Sequence, residues 1–263
     1  MTWHHRLMDH AELAAVFGHE GVAAAYRHRP PYPAEVFDVL TGLIGDRPRA
    51  VLDLGAGEGA LARPLAERVD RVDAVDVSEA MIAVGRERPG GSRANLRWIT
   101  GTAEEAPLDG PYGLVTAGAS IHWMDWPTLM PRILDVTADG ALFAVVEHGE
   151  RDVPWQSELV EVILRHSRNP GFDPAFTAVD GMKEGGHFAE VGRIDTAPIV
   201  VRRDLASYVE RFHSTSSLAR EHMSADEAAD FARGVRDAAA PWVVDGVVEL
   251  KVVATVVWGR PLA

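Results

Sequence analysis

The run Val51-Leu52-Asp53-Leu54-Gly55-Ala56-Gly57-Glu58-Gly59 reads as a buried strand that passes through a glycine turn into a helix. Glycines let the backbone turn sharply and approach a ligand with no Cβ in the way. A second apolar run, Arg71-Val72-Asp73-Ala74-Val75-Asp76, ends in an acid. Open α/β sheets bind ligands outside the carboxyl ends of their strands, and an acid ending the second strand hydrogen-bonds a ribose hydroxyl pair. Asp76 and the glycines together specify an adenosine-type ligand.

Outward from this turn, strand-like runs at 51–54, 72–75, 96–99, 114–117 and 141–147 alternate with helix-like stretches at 59–68, 79–88 and 128–136. Parallel strands need crossover connections, so the rhythm predicts a parallel sheet with helices on both faces. After Glu150 the rhythm changes. Residues 155–168, 205–212 and 225–239 read as helices, 199–202 and 252–257 as strands, and 169–186 is rich in glycine, proline and aspartate. The expected architecture is α/β, doubly wound and Rossmann-like, with a mostly parallel seven-stranded sheet and helical lid insertions after strands five and six. Residues 1–45 are expected as an N-terminal segment covering the cofactor site and 46–150 as the Rossmann-like core. Residues 151–263 are expected to supply the rest of the sheet, a helical lid and the substrate pocket.

With 263 residues, 47% of them hydrophobic, the chain can bury one large core. Its net charge of −13 would repel phosphate backbones, and no Lys/Arg-rich stripe offsets it, so nucleic acid is not expected as a partner. The sequence has no cysteine, which excludes disulfides, thiol nucleophiles and thiolate metal sites and fits a cytoplasmic protein. Residues 1–20 mix His4, His5, Arg6, Asp9, His10 and Glu12 with apolar residues, unlike a signal peptide. No stretch is long and apolar enough for a bilayer, so no membrane partner is expected either. His4, His5 and His10 lack a carboxylate–histidine pattern with metal-site spacing, and no metal is expected. A monomer or homodimer acting on a small molecule fits these features.

Three details bear on which adenosine ligand is bound. The turn is Gly-Xaa-Gly-Xaa-Gly, whereas a dinucleotide site spaces its third glycine one residue further to admit a pyrophosphate. Asp53, two residues before the first glycine, could meet an ammonium or order water around it and would serve a pyrophosphate poorly. Gly101-Thr102-Ala103-Glu104 follows the third strand, in place to present backbone and a carboxylate to an adenine edge.

At these residues the sequence resembles the class I S-adenosylmethionine (SAM)-dependent methyltransferases, over about residues 20–150. The resemblance implies SAM as cofactor and S-adenosylhomocysteine as product. It implies that Gly55, Ala56 and Gly57 line the methionine part with Asp53 nearby, that Asp76 holds the ribose, and that Val77 and Met81 flank adenine. Thr102, Ala103 and Glu104 would face the adenine edge, although the family often has aspartate where Thr102 stands. Ala117 and Ala119 complete the implied cofactor set at the fourth strand. More narrowly, Ala25-Tyr26-Arg27-His28-Arg29-Pro30-Pro31-Tyr32-Pro33 and Ala119-Ser120-Ile121-His122-Trp123 resemble segments of the branch containing trans-aconitate methyltransferase and related small-molecule carboxyl methyltransferases (methyltransferase type 11).

Tyr26 and Arg29 are then expected to fold over the cofactor, with Arg29 neutralising its carboxylate through a guanidinium fork; Pro30, Pro31 and Pro33 stiffen the segment. His122 follows the fourth strand, where a neutral imidazole could take a proton from a hydroxyl or amine acceptor, or could equally be a wall of the pocket. Trp123 and Trp126 could exclude water, and Phe172, Phe176, Phe188, Tyr208, Phe212, His187 and His213 could line a substrate pocket. For each of these, core packing is the competing role. The expected activity is methyl transfer to a small organic acceptor, oxygen before nitrogen or carbon. The rivals are a SAM-binding protein without methyl transfer and an NAD(P)-dependent oxidoreductase.

Overall fold

The computed structural model describes residues 16–169 and 177–263. His4, His5, His10, Phe172 and Phe176 lie outside them. Among the described residues two α-helices precede the first strand, α1 (Glu20–Tyr26) and α2 (Glu35–Ile44), and neither was expected from the periodicity. In α2 the buried residues Val36, Phe37, Leu40 and Ile44 recur at helical spacing, so one face is apolar.

The expected alternation follows: β1 (Ala50–Leu54), α3 (Ala62–Leu65), β2 (Arg71–Asp76), α4 (Glu79–Glu87), β3 (Leu96–Thr100), β4 (Tyr112–Gly118), α5 (Trp126–Val136) and β5 (Thr137–Arg151). Only four residues of the stretch 59–68 are α-helical, because the turn keeps Gly57 and Gly59 at positive φ, and Pro64 lies inside. Beyond β5 come α6 (Gln156–His166), α7 (Ala178–Glu184), β6 (Phe188–Asp195), β7 (Ile199–Asp204), α8 (Leu205–Glu210), α9 (Ala225–Ala239) and β8 (Val247–Pro261). Among the described residues the sheet therefore has eight strands, not the expected seven. The additional one, β6, is an edge strand whose pattern is broken by Gly192 and by a register shift against β8.

Two compact units share the chain. One holds residues 31–149, 177–198 and 253–263, the other residues 16–30, 150–169 and 199–252. In the first, the strand order is β3-β2-β1-β4-β5-β8-β6, parallel from β3 through β5, with β6 antiparallel to the second half of β8. The chain steps outward from β1 through β2 to β3, then returns to β4 on the other side. That reversal makes the β1/β4 boundary the switch point where such sheets bind ligands. Side-chain alternation sends Leu52, Leu54 and Val115 into one core layer, and Val51, Val72 and Leu114 into another shared with α2. The second unit has its own core of Trp155, Leu159, Tyr208, Phe212, Phe231 and Val235, beside which β7 pairs with Val247–Val252 of β8.

Candidate functional site

In the first unit, the carboxyl ends of β1, β2 and β4 meet around the glycine turn. Gly55, Gly57 and Gly59 have φ of 64°, 57° and 77°, left-handed conformations that side chains disfavour. A Cβ on Gly55 would stand 2.5 Å from Ser120 Cβ, and one on Gly57 would stand 3.2 Å from Met81 Cε. Gly55→Ala must therefore strain the backbone and displace Ser120. With strain and overlap together near ~2 kcal/mol, its melting temperature should fall by about 4–8 °C in thermal unfolding. An unchanged melting temperature would show that the turn has room.

Asp76 ties this turn down. Its Oδ2 accepts the Gly57 N–H at 2.6 Å, and its Oδ1 accepts the Ser78 N–H at 2.8 Å. Ser78 then caps α4, its Oγ accepting the Met81 N–H at 3.2 Å. Burial raises the Asp76 pKa, and the bonds from Ser78 and Gly57 oppose that shift. A carboxylate offers about four lone-pair positions, so two bonds leave capacity for a diol.

Asp53 lies beneath the turn, 1% exposed. Strand pairing sets it opposite Thr116, whose hydroxyl donates to Asp53 Oδ1 at 2.7 Å. Burial pushes the Asp53 pKa up to about 7; the Thr116 bond opposes this, and the charge of Asp76 adds to it. Ser120, also buried, donates to the Leu54 carbonyl at 2.7 Å and so joins the end of β1 to the loop after β4. Thr116, Ser78 and Ser120 were not singled out by sequence reasoning. Ser78 had a signal, a serine directly before a helical run. The other two act across strands and have none.

The remaining expected residues divide. Ala56 is buried and donates its N–H to Val75 O at 2.9 Å, joining the turn to β2. Val77, beside Asp76, is 59% exposed and offers an apolar surface, while Met81 is buried under the turn. At the end of β3 Thr102 is exposed and Ala103 buried. Glu104 Oε1 accepts the Asp125 N–H at 2.8 Å, which stitches the loop after β3 to the start of α5. The Ala117 side chain is wholly buried in the core and backs the site. Ala119 adopts φ 50° and donates its N–H to Val146 O at 3.0 Å. His122 sits in a 3-10 turn, Ile121–Trp123, half-buried with its ring 4.9 Å from that of Trp123. Trp126 packs on the core and donates Nε1–H to Ile121 O at 2.7 Å. Tyr32 also belongs here: a Cβ on Gly118 would meet its hydroxyl at 2.7 Å, and its ring lies 4.1 Å from that of His148.

Tyr26 and Arg29 belong to the other unit. The Arg29 guanidinium lies 4.1 Å over the Tyr26 ring. Phe188, Tyr208, Phe212 and His213 are buried, the first in the core of the first unit and the next two in that of the second; His187 is half-buried. Among the described residues, no cluster of His, Asp or Glu could hold a metal ion, and no helix is long and apolar enough to cross a membrane.

Residues 51–140 match the family described as a methyltransferase domain. An uncharacterised methyltransferase of Mycobacterium tuberculosis is 36% identical over 156 residues, 59% of this chain and 61% of that protein. A trans-aconitate 2-methyltransferase of Mycobacterium sp. is 34% identical over 134 residues, 50% of this chain and 48% of that protein. The chain thus spans less than two thirds of the length of these relatives. A solved structure from Anaeromyxobacter dehalogenans superposes with a TM-score of 0.63 at 24% identity, covering 88% of this chain and 96% of that one. A SAM-dependent methyltransferase from Geobacter sulfurreducens, solved with S-adenosylhomocysteine, superposes with a TM-score of 0.53 at 16% identity, covering 95% and 98%. These likenesses bear out the fold.

Proposed function

We propose that the chain is a class I SAM-dependent methyltransferase that moves a methyl group from SAM to a small organic acceptor, oxygen first. The observation that carries this reading is Asp76, whose carboxylate holds the glycine turn through Gly57 and keeps capacity for a ribose diol. Asp53 supports it with a buried acid beneath the same turn, suited to a ligand bearing an ammonium and a sulfonium. Gly55 and Gly57 hold the turn in left-handed conformations, with Ser120 and Met81 packed where a Cβ would stand. Val77 and Met81 serve the base, Thr102, Ala103 and Glu104 its edge, and Ala56, Ala117 and Ala119 complete the surroundings.

SAM supplies an already activated methyl, so the reaction depends mainly on alignment with the acceptor. The chain's own groups then have limited tasks. His122 takes the proton of a hydroxyl or amine acceptor; with a carboxylate acceptor no proton needs to move. With a hydroxyl or amine acceptor, His122→Ala should lower kcat by about 10²-fold and remove the acid limb of the pH profile. A kcat unchanged across pH would rule out the base role. The trans-aconitate relative favours a small carboxylate as acceptor, and the reading includes a cytoplasmic monomer or homodimer.

Incubation with methyl-labelled SAM and a panel of small carboxylates, phenols and amines tests the reading. Label in an acceptor is the expected result. Binding of SAM with no transfer to any class would favour the rival, a SAM-binding protein without methyl transfer. Tighter binding of NADH than of SAM in calorimetry would favour an oxidoreductase.

A further inference from the structure

A carboxylate acceptor needs no proton moved, but it must bring a negative group close to a turn that already holds Asp53 and Asp76, in a chain of net charge −13. A hydrogen-bond donor on the acceptor's side would offset that repulsion. The carboxyl edge of the sheet in the first unit places one. Asp76 ends β2, Asp53 belongs to the adjacent β1, and β4 and then β5 follow on the other side. With about 4.8 Å between neighbouring strands, β5 runs about 10 Å from β1, beyond the part of the edge marked by Asp76 and Asp53. Gly118, the last residue of β4, pairs with Val146, and the Ala119 N–H donates to Val146 O at 3.0 Å. His148 is therefore the next residue of β5 on the same face, one step past the end of β4. Tyr32 packs on the core layer that holds Val146, Leu114 and Val51, so it lies on this face too. Its ring centroid is 4.1 Å from that of His148, and its hydroxyl stands 2.7 Å from where a Cβ on Gly118 would be. The glycine thus makes room for the phenol, and the phenol ring sets the imidazole. Tyr32 and His148 are both half-buried, so each keeps a side open to a ligand.

We propose that His148, braced by Tyr32 as a positioning residue, donates a hydrogen bond to a carboxylate of the acceptor and so selects carboxylate acceptors. The proposal rests on the reading of the chain as a methyltransferase of small acceptors. An imidazole carries at least one N–H whether neutral or protonated, so the donor does not depend on a proton being gained. A ring already held against an aromatic face loses little freedom when the ligand arrives, whereas a free one must be ordered by it. The task differs from that of His122, which serves a hydroxyl or amine acceptor. His148 also lies outside residues 51–140, the stretch that matches the methyltransferase domain.

The probe is whichever small carboxylate of the panel above, among them succinate, fumarate and propane-1,2,3-tricarboxylate, takes the most label. His148→Ala should raise its KM by about 10-fold with a smaller loss in kcat. Calorimetry on protein loaded with S-adenosylhomocysteine should show the same loss of carboxylate affinity without turnover, while the affinity for S-adenosylhomocysteine itself stays within about twofold. His148→Gln, which keeps an N–H donor, should recover most of the loss. Tyr32→Leu should raise KM by about threefold, and the double variant should be no worse than His148→Ala alone, because Tyr32 acts through His148. If His148→Ala leaves KM unchanged, weakens S-adenosylhomocysteine as much as the carboxylate, or is not rescued by glutamine, the proposal is overturned. An effect of Tyr32→Leu that adds to that of His148→Ala overturns the bracing role. If label enters phenols or amines and no carboxylate, the proposal fails while methyl transfer stands. If no acceptor takes label, that reading fails and the proposal with it.

Discussion

Asp76→Ala should weaken S-adenosylhomocysteine binding by at least about 100-fold in calorimetry, the largest loss expected from any single side chain here. Two roles end together. The ribose loses an ionised acceptor, worth about 1.5–3 kcal/mol for each hydrogen bond, and the Gly57 and Ser78 N–H groups lose the carboxylate that holds them. Two such bonds to a diol correspond to about 10²–10⁴ in affinity. Asp76→Asn should fall nearly as far, because it turns one acceptor into a donor facing an N–H. Binding within about threefold of wild type in both variants would remove Asp76 from the site.

Asp53→Asn should change stability and affinity in opposite directions. Folded Asp53 keeps its proton to about pH 7, against 3.8 for the free group. Between those values the folded state binds the proton more tightly than the unfolded chain. The stabilising contribution is therefore complete below about 3.8, is lost as pH rises to 7, and is level above. Asparagine carries no such penalty, so the ligand-free variant should melt several degrees above wild type at pH 8, the gap narrowing toward acid. A ligand ammonium favours the ionised acid, so wild-type affinity for S-adenosylhomocysteine should weaken several-fold per unit as pH falls below 7. The variant should bind more weakly at pH 8 and show little change between pH 6 and 8. A wild-type affinity that is flat over this range would show that Asp53 does not sense the ligand.

Long, strongly patterned elements were legible from local sequence. Residues 225–239 form α9 as expected, and Ser224 with Glu227 closes a capping box at its start. The strands β1, β2 and β4 were legible too, because their buried runs are continuous and end on or just before glycine or acid. The helices α1 and α7 escaped notice because each has only seven residues. Strand β6 did so because an edge strand shows weak alternation and Gly192 interrupts it.

Within the site, the sequence determined the residue types that a sharp turn and a ribose require: Gly55, Gly57 and Asp76. These follow from chemistry acting within a few residues of chain. Tertiary structure alone decided that Asp76 also tethers Gly57, that Thr116 holds Asp53, and that Ser120 closes against Leu54. Each of those bonds joins residues 19 to 66 positions apart. Their pairing depends on strand register and on which buried polar group lacks a partner once the chain has folded, and neither is written in a local pattern.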